Sequence, residues 1–247
     1  MAWTDTLSDE QMLAMALHEL RKSVQPVRSV LAVILDERAG PLTPAQREFL
    51  GIAEHAAKRL SRLIDDVEVV LEHGRQLPLE LEVVDLVPLV DACVREARFL
   101  ADSHQVRISY ESAHGVVPAR VDARAIEQVI LNLIDNAVLY STHPGTVQLR
   151  LRASRSLVTL RVQNPIPAGV TGDPRAWMQP GYRGRPDLPA DGRGLGLAVV
   201  NRLVERHGGR LLGRIANGAV TLCVVIPRGV SQYLGNGASS RPHQLCR

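Results

Sequence analysis

The chain has 247 residues, of which 45% are hydrophobic, 22% charged and 3% aromatic, and it carries a formal charge of +3. That length and apolar content support one large or two small folded domains, while so few aromatic rings leave little to stack on bases, so nucleic-acid binding is not expected. No apolar run of membrane-spanning length occurs, and the opening MAWTDTLSDEQ resembles no leader segment, so a cytoplasmic location without membrane insertion is expected.

From Leu13 onward, apolar residues recur at Leu13, Leu17, Leu20, Val24, Val27, Leu31 and Ile34, an alternation of four and three that predicts a helix with a heptad seam. Gly40 and Pro41 interrupt it. Thr43 then offers an N-cap, Pro44 suits the first helical position and Gln46 completes a capping box. The second helix is predicted to end near His73 and Gly74, with its own stripe at Phe49, Ile52, Ala56, Leu60, Leu63, Val67 and Val70. Each stripe alone would stay half exposed, so the expected arrangement is a helical hairpin that pairs with a second copy into a four-helix bundle.

His18 and Glu19 are neighbours on the first helix, one step past the seam residue Leu17, which puts the imidazole at the edge of the bundle and in solvent. For two such residues alone, an ordinary surface pair is the plainer reading. A neutral imidazole is nonetheless a nucleophile, and an adjoining carboxylate can take or orient its proton. Pro26 removes the backbone bond to residue 22 and predicts a bend one to two turns past the histidine.

After HGRQLP the pattern changes to short alternating units, so a second domain is expected over residues 75–229, following a first over 1–74. Strands are predicted at Glu80–Val84, Val106–Tyr110, Ala119–Val121, Val147–Ala153, Leu157–Val162, Leu211–Ile215 and Ala219–Ile226. Helices are predicted at Leu86–Ser103, Ala123–Leu139 and Leu195–His207. The fold class is therefore α+β. Residues 164–193 are rich in Pro, Gly and Asp and form a long loop of the kind that is usually functional. Residues 230–247 are polar and expected to be a disordered tail. Cys93, Cys223 and Cys246 lie far apart without metal-ligand spacing and read as isolated thiols of a reducing compartment.

Within EQVILNLIDNAVLYS, Asn132 and Asn136 stand one turn apart on one face of a largely apolar helix, where mid-helix asparagine is a poor choice without a polar partner. An amide oxygen is a suitable hard ligand for Mg2+ beside phosphate. In DGRGLGLAVV, Gly192, Gly194 and Gly196 lead into a helix, which lets backbone N–H groups and the helix N-terminus approach an anion. The G-x-G-x-G spacing differs from the dinucleotide-binding fingerprint, and a polar loop rather than a strand precedes it.

Together these segments resemble the sensor histidine kinases of two-component signalling over residues 10–228: HELR at 18–21 is similar to the phosphoacceptor box, NLIDNA at 132–137 to the N box, and GRGLGLAVVNRLVERHGG at 192–209 to a glycine box and its helix. The resemblance implies an ATP-binding α/β sandwich of the gyrase type, with ATP and Mg2+ as cofactors. It implies His18 as phosphoacceptor, Glu19 as base, Asn136 as metal ligand, Asn132 at the phosphate site, and Gly192, Gly194 and Gly196 against the phosphates. In GYRGR, Tyr182, Arg183 and Arg185 occupy a lid region, where Arg183 either offsets transition-state charge or is a solvated loop residue. The resemblance implies a response-regulator receiver domain as partner, beside the homodimer expected from the two apolar stripes; with no sensor segment recognised in the sequence, a separate sensor or input protein is expected as well.

The chain departs from the family pattern at three places. Lys22 and Ser23 replace the usual Thr-Pro after HELR, which predicts weak or absent phosphatase activity. Asn164, in VQNPIPAG, stands where the family has an adenine-reading Asp, and prolines replace its glycines. Leu139 replaces a basic residue after the N box. The alternative to an active kinase is therefore a dimeric phosphotransfer or scaffold protein that binds no ATP. A gyrase-like ATPase fits less well, because Asn132 occupies the position of the catalytic Glu.

Overall fold

Two helices, α1 (Asp9–Leu35) and α2 (Pro44–Leu71), form the first of two units in the computed structural model, which describes residues 9–71, 78–168, 173–174, 176–179, 181 and 194–229. Helix α1 runs unbroken through Pro26. The start of α2 is the expected capping box: the Gln46 N–H donates to Thr43 Oγ1 at 3.3 Å, and the Thr43 N–H donates to Gln46 Oε1 at 2.9 Å. His73, Gly74 and the tail over 230–247 lie outside the described residues.

The seam of α1 divides into two halves. Leu17 and Val24, seven residues apart, are buried with Ile64 and pack against Val67. The interleaved Leu13, Leu20 and Val27 remain 41%, 49% and 53% exposed. Helix α2 shows the same division, since Phe49, Ile52 and Leu60 are exposed while Ala57 and Ile64 are buried, Ile64 against Leu17 and Val24 of α1. The stripe read along α2 is thus largely its outward one. Two helices share a single line of contact, and the other heptad flank has nothing within the hairpin to cover it.

In the second unit, β1 (Glu82–Asp85) pairs antiparallel with β3 (Pro118–Val121). Among the described residues, β2 (Val106–Ser112), β4 (Gly145–Ala153), β5 (Leu157–Pro165), β6 (Arg210–Ala216) and β7 (Ala219–Pro227) form a five-stranded sheet of order β2-β4-β5-β7-β6. Strand β2 is parallel to β4 and the other neighbours are antiparallel. Helices α3 (Leu86–Ser103), α4 (Ala123–Leu139) and α5 (Gly196–Arg206) pack against one face. That face supplies Val147, Leu149, Leu151, Val158, Leu160 and Val162, all nearly inaccessible, to meet Val129, Ile130, Leu133 and Ile134 of α4.

Aspartates start two of these helices. Asp85 accepts from the Val87 N–H of α3 at 3.1 Å and from the Val117 N–H at 2.9 Å. Asp122 accepts from the Ala125 N–H of α4 and, through its other oxygen, from the Glu80 N–H. Two expectations need correction. Asn164 is a ladder residue of β5 opposite Val220 rather than the first residue of a loop, because cross-strand pairing extends the strand past the point where apolar alternation stops. Cys93 is buried in α3, but Cys223 is disulfide-bonded; separation along the chain does not limit approach in the fold.

Candidate functional site

The second unit brings together residues that lie sixty positions apart in sequence. Gly196, the first residue of α5, faces the asparagine pair of α4: a Cβ placed there would lie 3.5 Å from Asn136 Nδ2 and 3.8 Å from Asn132 Cγ and Oδ1. Only a residue without a side chain leaves that space open. Gly194 adopts a φ of 69°, the left-handed conformation that glycine tolerates, and its carbonyl accepts from the Gly181 N–H at 3.0 Å, which ties the far side of the long loop to the start of α5. Asn136 Nδ2 is buried and has no hydrogen-bond partner. A buried amide donor in this state costs about 1–3 kcal/mol, so this atom is shaped for something that accepts. A phosphate with its metal fits: the asparagine amides present donors and hard oxygen acceptors, and Gly196 leaves room for it.

Asn164 is 4% exposed, and its Nδ2 donates to the carbonyl of its neighbour Pro165 at 3.3 Å. The same carbonyl accepts from the Thr142 N–H. Ser141, which follows α4, is 4% exposed and its hydroxyl has no hydrogen-bond partner. Ser141 and Pro165 crowd round Gly145, where a Cβ would meet the Thr142 carbonyl at 2.3 Å. Ser141 was not singled out from sequence. Its only signal there is a small hydroxyl directly after an apolar helix, which is common. Tyr182, Arg183, Arg185 and Gly192 lie outside the described residues.

In the first unit, His18 is exposed directly after buried Leu17, as the heptad register requires. The Glu19 carboxylate accepts from Lys22 Nζ at 2.9 Å, and the neighbouring His18 acts on it more weakly. That hydrogen bond, and next the lysine's charge, hold the Glu19 carboxyl below the usual glutamate range. Arg21, one turn past His18, reaches across to α2 and pairs with Asp65 and, at 2.6 Å, with Glu68. Partial burial opposes its charge, but the hydrogen bonds and fields of the two carboxylates prevail and raise its pKa. The face carrying His18 is therefore fastened between the helices by a charged clamp.

The described residues thus comprise a helical hairpin with a solvent-exposed histidine and an α/β sandwich with an asparagine pair under a glycine turn. Residues 121–228 match the family model of histidine kinase-, DNA gyrase B- and HSP90-like ATPases, and residues 8–70 match the His Kinase A phospho-acceptor domain. The sensor histidine kinase GlrK of Escherichia coli (strain K12) is 28% identical over 225 residues, covering 85% of this chain and 44% of that protein. The probable sensor histidine kinase TcrY of Mycobacterium tuberculosis (strain ATCC 25618 / H37Rv) is 30% identical over 223 residues, 88% of this chain and 45% of that one. In fold, full-length ShkA in complex with AMPPNP superposes with a TM-score of 0.61 at 23% identity, over 89% of this chain and 46% of that chain. The chain belongs to the two-component sensor histidine kinases. It spans less than half the length of these two relatives. No helix of the described residues is long and apolar enough to cross a membrane.

Proposed function

We propose that the chain is an ATP-dependent protein-histidine kinase that phosphorylates itself on His18 and passes the phosphoryl group to a response-regulator aspartate. The observation that carries this reading is the unpartnered, buried Asn136 amide facing Gly196, because a chain that had lost nucleotide binding has no reason to keep a vacant donor under a glycine turn. Asn136 and Asn132 hold the metal-bearing phosphates against the N–H groups at the start of α5. Bound Mg2+ offsets the charge that builds up during transfer. Asn164 reads the adenine amino group with its Oδ1, since its Nδ2 is used by Pro165.

The imidazole of His18 attacks with the lone pair of one ring nitrogen, the bond from the γ-phosphorus to the bridging oxygen of ADP breaks, and the proton leaves the other ring nitrogen. Glu19 serves as that proton's acceptor when it swings from Lys22. The exposed flanks of α1 and α2 support a homodimer through the hairpin.

The test is incubation of the full chain with radiolabelled Mg-ATP. Label that is acid-labile and alkali-stable, absent from His18→Ala and from Asn136→Ala, is expected. Acid-labile label persisting in His18→Ala overturns the assignment, and failure of the wild type to bind Mg-ATP establishes instead the scaffold reading, with His18 kept and nucleotide lost.

A further inference from the structure

The face of the five-stranded sheet turned away from α3, α4 and α5 carries an unusual concentration of one charge. Strand alternation puts Arg107 of β2, Arg150 and Arg152 of β4, Arg161 of β5 and Arg210 and Arg214 of β6 on it. Among the described residues of these strands, Glu111 is the one carboxylate on that face, and it pairs with Arg150 at 3.2 Å. In register, Arg150 stands directly opposite Arg161, a separation of about 5 Å between backbones. Arg152 lies two residues further along the same strand, and Arg214 projects from the far edge.

Arg161 is at the centre. Its Nη2 donates to Gln163 Oε1 at 2.8 Å, but its Nε is buried and has no hydrogen-bond partner. Partial burial, and then repulsion from Arg150, Arg152 and Arg214, lower its pKa, so the guanidinium groups are near enough to act on one another. Like charges gathered at this range destabilise a protein unless a counter-charge joins them. With Glu111 spent on Arg150, no other carboxylate of these strands matches the positive charges of Arg152, Arg161 and Arg214 among the described residues. A single carboxylate is too little for three guanidinium groups, whereas a multiply charged phosphate matches both the charge and the fork geometry of arginine.

We propose that Arg152, Arg161 and Arg214, with Arg150 at their edge, form a binding site for a multiply charged phosphate anion on the outer face of the sheet. The site is on the opposite side of the sheet from Asn164 and α4, so the anion occupies it independently of any nucleotide held by Asn136. Its ligand is a soluble polyphosphate-type anion or the phosphate of a lipid headgroup, which present the same chemistry to the cluster.

The experiment uses the full chain carrying Asn136→Ala, so that the other phosphate site is silent, and titrates inorganic pyrophosphate by calorimetry at constant ionic strength. Saturable binding is expected, together with a rise in Tm as the repulsion is relieved. Each arginine that contributes a charge-assisted bond is worth about tenfold in affinity, so Arg152→Gln with Arg161→Gln should weaken binding on the order of 100-fold, whereas Arg161→Lys, which keeps the charge and loses the fork, should fall between. Circular dichroism checks that the double variant stays folded; removing like charges should leave its Tm equal or higher without pyrophosphate. Equal affinity in wild type and double variant, or no saturable binding at all, overturns the proposal. A second arm separates the sources: co-sedimentation with phosphatidylglycerol but not phosphatidylcholine vesicles, lost in the double variant, assigns a headgroup, and pyrophosphate binding without co-sedimentation assigns a soluble anion.

Discussion

Replacing Gly196 with alanine separates stability from nucleotide binding. The added methyl would sit 3.5 Å from Asn136 Nδ2 and 3.8 Å from the Asn132 amide, ordinary contact distances that require no movement. Gly196 is also a helical residue without a left-handed φ, so alanine is allowed there and gains up to ~1 kcal/mol of helix propensity, less at a helix end. For a chain of this size, that corresponds to a rise in Tm of no more than about 2–4 °C. The same methyl fills the opening above the asparagine pair, into which a phosphate oxygen must come within about 3 Å of an amide. Losing one or two charge-assisted hydrogen bonds of ~1.5–3 kcal/mol each weakens nucleotide binding about 10- to 1,000-fold or more. Calorimetric titration with Mg-ADP and a thermal melt of the same preparation measure both quantities. Gly196→Ala that binds Mg-ADP like the wild type would refute the placement of the phosphates between α4 and α5. A variant that binds poorly because it is unfolded would refute the packing argument.

Gly209→Ala has the opposite character, since its Cβ would lie 2.4 Å from the Val225 carbonyl and 2.7 Å from Ile226 Cγ2; a loss of stability of at least ~1–3 kcal/mol is expected by denaturant unfolding. Asp122→Ala removes the α4 cap and leaves the Glu80 N–H without its acceptor, a cost of ~1–2 kcal/mol by the same assay. Leu20→Glu alters a residue that is 49% exposed on the hairpin, so the helices should persist by circular dichroism while light scattering shows monomers, because the dimer would enclose an unpaired carboxylate. Glu19 titrates below its ordinary range because Lys22 binds the ionised form, so that interaction is present above the ordinary glutamate pKa and is lost as pH falls through the depressed one. Lys22→Met should move the Glu19 midpoint in an NMR titration upward, and an unchanged midpoint would show that Lys22 is not the cause.

Much of this was already legible in the amino-acid sequence because the determinants are local. The capping box at Thr43 and Gln46, the helix limits Leu86–Ser103 and Ala123–Leu139, and the register that exposes His18 beside buried Leu17 all follow from spacing over a few residues, where helix geometry leaves one answer. The pairing of Asn132 with Asn136 belongs here too, being one turn of one helix. Tertiary structure decided what depends on distant partners. Which flank of each heptad seam lies inside the hairpin was settled by the meeting of Leu17 and Val24 with Ile64, whereas Phe49, Ile52 and Leu60 of the stripe along α2 lie on the outward side. Asn164 joined a strand because Val220 lies opposite it. Glu19 hydrogen-bonds Lys22, a contact that rotamers decide and spacing does not. The arginines of three separate strands became one cluster only when β4, β5 and β6 took their places in the sheet, since charge acts through space and the order of residues along a chain does not say which strands will be neighbours.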